Sequence, residues 1–141
     1  MKITIAIPFV LLLAVSLSTM NCSPDNDFTP STEETLTRNG WGVDYYMQQQ
    51  NISSEFDEYF ITFRNSGTIN CRKGTEVISG TWNMNVDMNQ SEMIVINIAT
   101  SNPSINKLNG SWSLKSTTAS TMTFEENLMQ SGCMMRIKIK R

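Results

Sequence analysis

The chain has 141 residues, 40% hydrophobic and 17% charged, a balance that suits a globular protein and excludes a disordered one. Eleven basic against thirteen acidic side chains leave a net charge of -2, without the basic field that general nucleic-acid binding requires. Histidine is absent, which excludes Ser-His-Asp and Cys-His catalysis and any His-ligated zinc or haem.

Met1-Lys2 is a short positive start, and Ile3 to Leu17 is an apolar run broken only by Thr4, Pro8 and Ser16. The run is shorter than the ~20 helical residues that cross a bilayer, so it reads as a secretory signal removed on export. Ser18 to Asn21 is polar, and Cys22 follows. A cysteine at this place resembles the acylation site of a bacterial lipoprotein. The resemblance implies that residues 1–21 are removed and that Cys22 becomes the lipid-bearing N-terminus. Cleavage after Ser18, with Ser16-x-Ser18 supplying the small residues, is the other reading. Asp25-Asn26-Asp27 resembles the acidic export tag of surface lipoproteins in some Gram-negative lineages, and it equally suits a solvated tether over residues 22–30. The expected location is the outer membrane, lipid-anchored and either periplasmic or surface-exposed. With Cys22 assigned to lipid, Cys71 and Cys133 remain as a candidate disulfide, with two buried thiols as the alternative.

The folded domain is expected over residues 31–141. Ser31-Thr32-Glu33-Glu34 fits a capping box and predicts a short helix from Thr32 to Arg38, ended by Asn39-Gly40. The period then changes to two. Trp41, Val43, Tyr45 and Met47 alternate with polar or small neighbours, and Tyr59, Ile61 and Phe63 repeat the pattern. Asn65-Ser66-Gly67 turns into Thr68 to Arg72. Lys73-Gly74 turns into Thr75 to Met88, with Ile78, Trp82, Met84, Val86 and Met88 on one face. Ile94, Ile96 and Ile98 alternate after Asn89-Gln90-Ser91, and a break around Asn102-Pro103-Ser104 has room for a short helix. Strands around Trp112 and Leu114, Met122 and Phe124, and Met135, Ile137 and Ile139 complete the set. Eight short strands at this spacing predict an all-β antiparallel barrel or sandwich.

Four short motifs narrow the choice. Leu36-x3-Gly40-Trp41-x-Val43, Phe63-x3-Gly67-Thr68, Ser79-Gly80-Thr81-Trp82 and Leu108-x3-Trp112, in this order, resemble the small lipocalin-like lipoproteins of the Gram-negative envelope. The resemblance spans Thr32 to Arg141. It implies an eight-stranded antiparallel up-and-down barrel closed at one end by the N-terminal helix. True lipocalins carry Gly-x-Trp and an arginine near the last strand that packs on the tryptophan. Here Gly40 directly precedes Trp41, and Arg136 is the candidate partner.

An eight-stranded barrel is either filled by its side chains or holds one small ligand. The alternation points Trp41, Tyr45, Tyr59, Phe63, Trp82, Trp112 and Phe124 inward, a crowded inventory that leaves both outcomes open. The expected function is non-catalytic binding of a small apolar or amphiphilic molecule at the barrel mouth, by Trp41, Tyr45, Trp82, Met84 and Trp112. The competing class is a structural or interaction module with a filled barrel that meets an envelope protein or glycan. No cofactor and no metal are expected. A soft copper site at Met84 and Met88 is conceivable, but methionine more often fills gaps in a core. The carboxylates at Glu55, Asp57 and Glu58 and at Glu125-Glu126 could act without histidine only if one pKa were raised. Arg136, Lys138, Lys140 and Arg141 place positive charge on one face of the last strand, available to an anionic glycan or headgroup or simply solvated.

Overall fold

A computed structural model describes residues 29–127 and 132–141; the signal segment, Cys22 and Asp25-Asn26-Asp27 lie outside the described residues. Helix α1 spans Thr32–Arg38, where the capping signal put it. The Ser31 hydroxyl accepts the Glu34 N–H at 3.1 Å, satisfying one of the four N-terminal donors that a helix leaves open. Glu34 does not complete the reciprocal half of the box; its carboxylate pairs with Arg38 one turn on.

The strands follow as β1 (Gly40–Gln48), β2 (Gln50–Asn51), β3 (Phe60–Phe63), β4 (Thr68–Lys73), β5 (Glu76–Val86), β6 (Glu92–Asn97), β7 (Gly110–Thr117), β8 (Thr121–Glu126) and β9 (Met134–Ile139). Each long strand pairs antiparallel with the next, and β9 pairs back onto β1. The result is a closed eight-stranded barrel. The two-residue β2 is only a return against the end of β1. A 3-10 turn (Ser53–Phe56) and helix α2 (Pro103–Asn106) lie in the β1–β3 and β6–β7 connections. Asn102 caps α2 by accepting the N–H groups of Ser104 and Ile105, and Pro103 takes the first helical position, where its missing N–H does no harm. Among the described residues, no helix is long and apolar enough to cross a membrane.

Three corrections to the expected pattern have structural causes. The alternation of β1 slips: register shifts between Val43 and Tyr45, so Trp41, Val43 and Tyr46 point inward and Tyr45 points out. A β-bulge at Asp44 inserts the extra residue and reverses the face of everything after it. The strand after Lys73-Gly74 stops at Val86; Met88 stands fully exposed (100%) in the following turn, apart from Met84. That turn is built by Asp87, whose carboxylate accepts the N–H groups of Asn89 and Ser91, and Gln90 takes the left-handed conformation it requires.

The third correction concerns the cysteines. Cys71 and Cys133 are separate buried thiols. Cys71 pairs with Ile61, Ile61 with Trp41, and Trp41 with Ile139. Cys133 precedes Ile139 by six residues, roughly 20 Å of strand, and it lies three strand spacings round the barrel. A disulfide needs Cα atoms within about 7 Å.

The core is the barrel interior. Ile61, Ile69, Ile94, Ile96, Met122, Phe124, Met135 and Ile137 fill its middle, all buried. Gly80 is required on the β5 wall, because a Cβ there would meet the Asn97 carbonyl oxygen at 2.5 Å and the Ile98 side chain at 2.6 Å.

Candidate functional site

The barrel interior, the site expected from the sequence, is held by three indole clamps. Trp41 Nε1 donates to the Leu36 carbonyl at 2.9 Å and so ties β1 to the last turn of α1. Trp112 Nε1 donates to the Leu108 carbonyl at 2.9 Å and ties β7 to the segment after α2. Trp82 Nε1 donates to the Arg64 carbonyl at 3.0 Å and ties β5 to the β3–β4 turn. The Trp82 backbone N–H also reaches the Gly67 carbonyl, and Phe63 meets the Trp82 ring edge to face with centroids 5.2 Å apart. Gly67 sits at φ 78°, where a side chain would be strained. Each clamp joins residues of the motifs that carried the lipocalin-like resemblance, so those motifs have a packing reason. An indole buries a large apolar area but must satisfy one N–H, and a backbone carbonyl four or five residues before it, or for Trp82 one in the preceding β3–β4 turn, provides the acceptor.

This use of the tryptophans bears on the expected ligand site. Trp41 and Trp112 are completely buried (0%), and Trp82 nearly so. Met84 is half-buried against the core. Tyr45 is on the outer wall, where Arg136 lies over its ring at 5.6 Å. Arg136 does not pack on Trp41: its guanidinium makes a two-pronged contact to Asp44, at 3.0 and 3.2 Å, which raises its pKa further. None of the five expected ligand residues lines the open hollows described below.

Tyr46, which the bulge turns inward, is the interior residue that simple alternation misses. Its hydroxyl donates to the Lys107 carbonyl at 2.7 Å and accepts the Cys133 thiol at 4.0 Å. Its ring stacks on Phe56 at 5.1 Å and meets Trp112 edge on at 5.9 Å. Burial pushes its pKa up, as it does for the Cys133 thiol, and burial alone lifts Cys71 to about 12. Thiols held protonated in this way are poor nucleophiles.

Among the described residues, hollows that open to solvent include the following. One of about 540 Å3 lies between α1 and the β7–β8 turn, with Pro30, Arg38, Thr117 and Ala119 in its walls. One of about 390 Å3 lies beside the start of α1, with Ser31 and Asn65. One of about 280 Å3 lies on the outer wall over Gly42 and Lys138, and one of about 220 Å3 on the outer wall of β3, β4 and β5.

Three of the five clustered carboxylates pair with lysines. Glu55 binds Lys107 at 2.6 Å and accepts from Ser104 at 3.2 Å; the Lys107 hydrogen bond lowers its pKa. Glu58 pairs with Lys73, which lowers the Glu58 pKa, and Glu125 pairs with Lys115 at 2.8 Å. Both resolved shifts run opposite to what a general acid needs. On the basic strand face, Arg136 is engaged by Asp44, and Lys140 donates to the carbonyls of Asp57 and Tyr59 at 2.5 and 3.0 Å. Among the described residues, no group of three or more cysteine, aspartate or glutamate side chains could hold a metal ion.

No protein-family model matches the chain, and no curated protein matches it in sequence. Among solved structures it is similar to the crystal structure of a DUF4847 family protein from Bacteroides vulgatus ATCC 8482. The two are 13% identical with a TM-score of 0.56, over 77% of this chain and 96% of that one. At that identity the likeness is one of fold, and it is the barrel that the two share.

Proposed function

We propose that the chain is a non-catalytic lipoprotein of the cell envelope, anchored through an acylated Cys22, whose filled barrel acts as a rigid interaction module. The observation that carries this reading is the use of all three tryptophans as interior clamps. The side chains best suited to grip an apolar guest are committed to closing the barrel. The anchor rests on the sequence before and at Cys22; two or three acyl chains hold a protein on a membrane durably, at about 0.8 kcal/mol per buried methylene. The absence of histidine and the ion-paired carboxylates favour a non-catalytic role.

A second reading has one observation in its favour. The hollow of about 540 Å3 beside α1 lies within the size range of small-molecule sites and sits at a barrel mouth. An amphiphile there would touch Pro30, Arg38 and Ala119 rather than Trp41, Tyr45, Trp82, Met84 and Trp112. Mass spectrometry of the protein extracted from its native membrane separates the readings. The module predicts an acyl mass on Cys22 and no retained small molecule. A stoichiometric apolar ligand would transfer the case to the second reading, and an unmodified Cys22 would remove the anchor.

A further inference from the structure

We propose that the outer wall of β3, β4 and β5 is a binding site for an anionic saccharide, a sugar chain bearing carboxylate or phosphate. This deepens the interaction-module reading and rests on it. Register builds the site as three rows. Phe60, Arg72 and Val77 lie side by side across the three strands, then Thr62, Asn70 and Ser79, then Arg64, Thr68 and Thr81. Successive rows are about 7 Å apart, so the two arginine rows are separated by roughly 13 Å with a floor of hydroxyls and one amide between them. Arg64 and Arg72 both line the same hollow of about 220 Å3, with Phe60, Thr62, Asn70 and Val77.

The groups are oriented for donation. Ser79 donates to Asn70 Oδ1 at 2.7 Å, which fixes the amide and leaves its NH2 to donate outward. Arg72 lies over the Phe60 ring at 5.3 Å, so its stem is held while its N–H groups remain available. Arg64 emerges from a turn whose backbone is fixed by Gly67 and by the Trp82 clamp. Among the described residues, neither arginine has a carboxylate partner, whereas Arg38 and Arg136 do. The outward positions of β3, β4 and β5 carry no acid, in a chain whose net charge is -2. Val77 stays 54% exposed, an apolar surface beside the Arg72 guanidinium suited to the C–H face of a sugar ring. Planar forks at both ends and neutral donors between them fit a polyhydroxylated chain with charged groups, and a small lone anion could use only one end.

The test is calorimetric titration of the full chain at low salt with oligogalacturonate, a phosphorylated mannose oligosaccharide, neutral maltotetraose and inorganic phosphate. Binding of at least one acidic oligosaccharide, weakened tenfold or more in Arg64→Gln and in Arg72→Gln and unchanged in Lys115→Gln, is the expected result. Which oligosaccharide binds distinguishes a carboxylate from a phosphate source. Maltotetraose or inorganic phosphate binding as tightly as the acidic oligosaccharides would overturn the proposal, as would no binding at all or binding indifferent to both arginines. The same samples are titrated with 1-aminoanthracene, whose fluorescence rises in an apolar cavity. A rise would overturn the filled-barrel reading, whatever the saccharides do.

Discussion

At one end the barrel is covered by the seven residues of α1, which precede the first strand; at the other it is covered by the connections between strands. The α1 cover is held by Leu36, by the Trp41 clamp and by a hydrogen bond from Thr32 to Glu92 at the start of β6. The opposite cover is cross-tied. The 3-10 turn and α2 bury Phe56, Ile105 and Leu108, and they are joined through Glu55 to Ser104 and Lys107. Tyr46 reaches Lys107, Trp112 reaches Leu108, and Tyr59 accepts from Asn102. A cover that is one appended helix can open without undoing strand pairing, whereas one woven from the connections opens only with the barrel. Among the described residues, a hollow of about 540 Å3 lies beside α1.

The comparison can be broken at either end. Trp112→Ala removes a fully buried ring from the cross-tied end and leaves the Leu108 carbonyl without its donor. It is expected to lower stability by about 3–5 kcal/mol in urea unfolding, with every strand losing exchange protection together. Leu36→Ala at the α1 end is expected to cost about 2–4 kcal/mol of local stability. Amide exchange should then show α1 opening while α2 and β7 keep their protection; equal loosening of both ends would erase the distinction drawn here.

Smaller changes sharpen it. Tyr46→Phe keeps the ring packing but strips the hydrogen bond from the Lys107 carbonyl, and a loss of about 1–2 kcal/mol is expected by chemical denaturation. No loss would mean that water replaces the hydroxyl. The smallest effect is that of the Glu55 strap. Its folded pKa is lowered, chiefly by the Lys107 hydrogen bond, so its contribution is complete above the ordinary carboxylate value and disappears as pH falls through the lowered folded value. Because the pair is exposed, only a shallow acid-side step should separate the wild type from Glu55→Gln, and superimposable acid profiles would show that the strap contributes nothing.

Particular residues show what was legible in the sequence. The start of helix α1 could be read because Ser31 is a local signal, whereas its end is made by an extended Asn39 whose amide donates to the Thr35 carbonyl at 2.9 Å, not by the left-handed residue that Asn39-Gly40 suggested. The barrel could be read because turn residues punctuate a period of two. The fate of Tyr45 and Tyr46 could not: two adjacent tyrosines suit either face, and the bulge at Asp44 that chooses between them depends on β9. Arg136 stays off the tryptophan because it alternates with the buried Met135 and Ile137 and so faces outward, while Trp41 faces in. Cysteine parity gave no warning that Cys71 and Cys133 lie far apart, since their separation depends on register around the closed barrel. The indole clamps were present as motif spacings, Leu36 before Trp41 and Leu108 before Trp112, but the acceptors are backbone atoms that no side-chain pattern names. The outer-wall arginines were hidden because the apolar half of the alternation carries the fold signal, whereas Phe60, Thr62 and Arg64 occupy the other half.

Xenon titration followed by NMR tests the filled interior most directly, with the methyl groups of Ile69, Ile94, Met122 and Ile137 as reporters. A packed core is expected to give small shifts, linear in xenon pressure, at all four. Saturable shifts at these interior methyls would reveal a cavity and contradict the account.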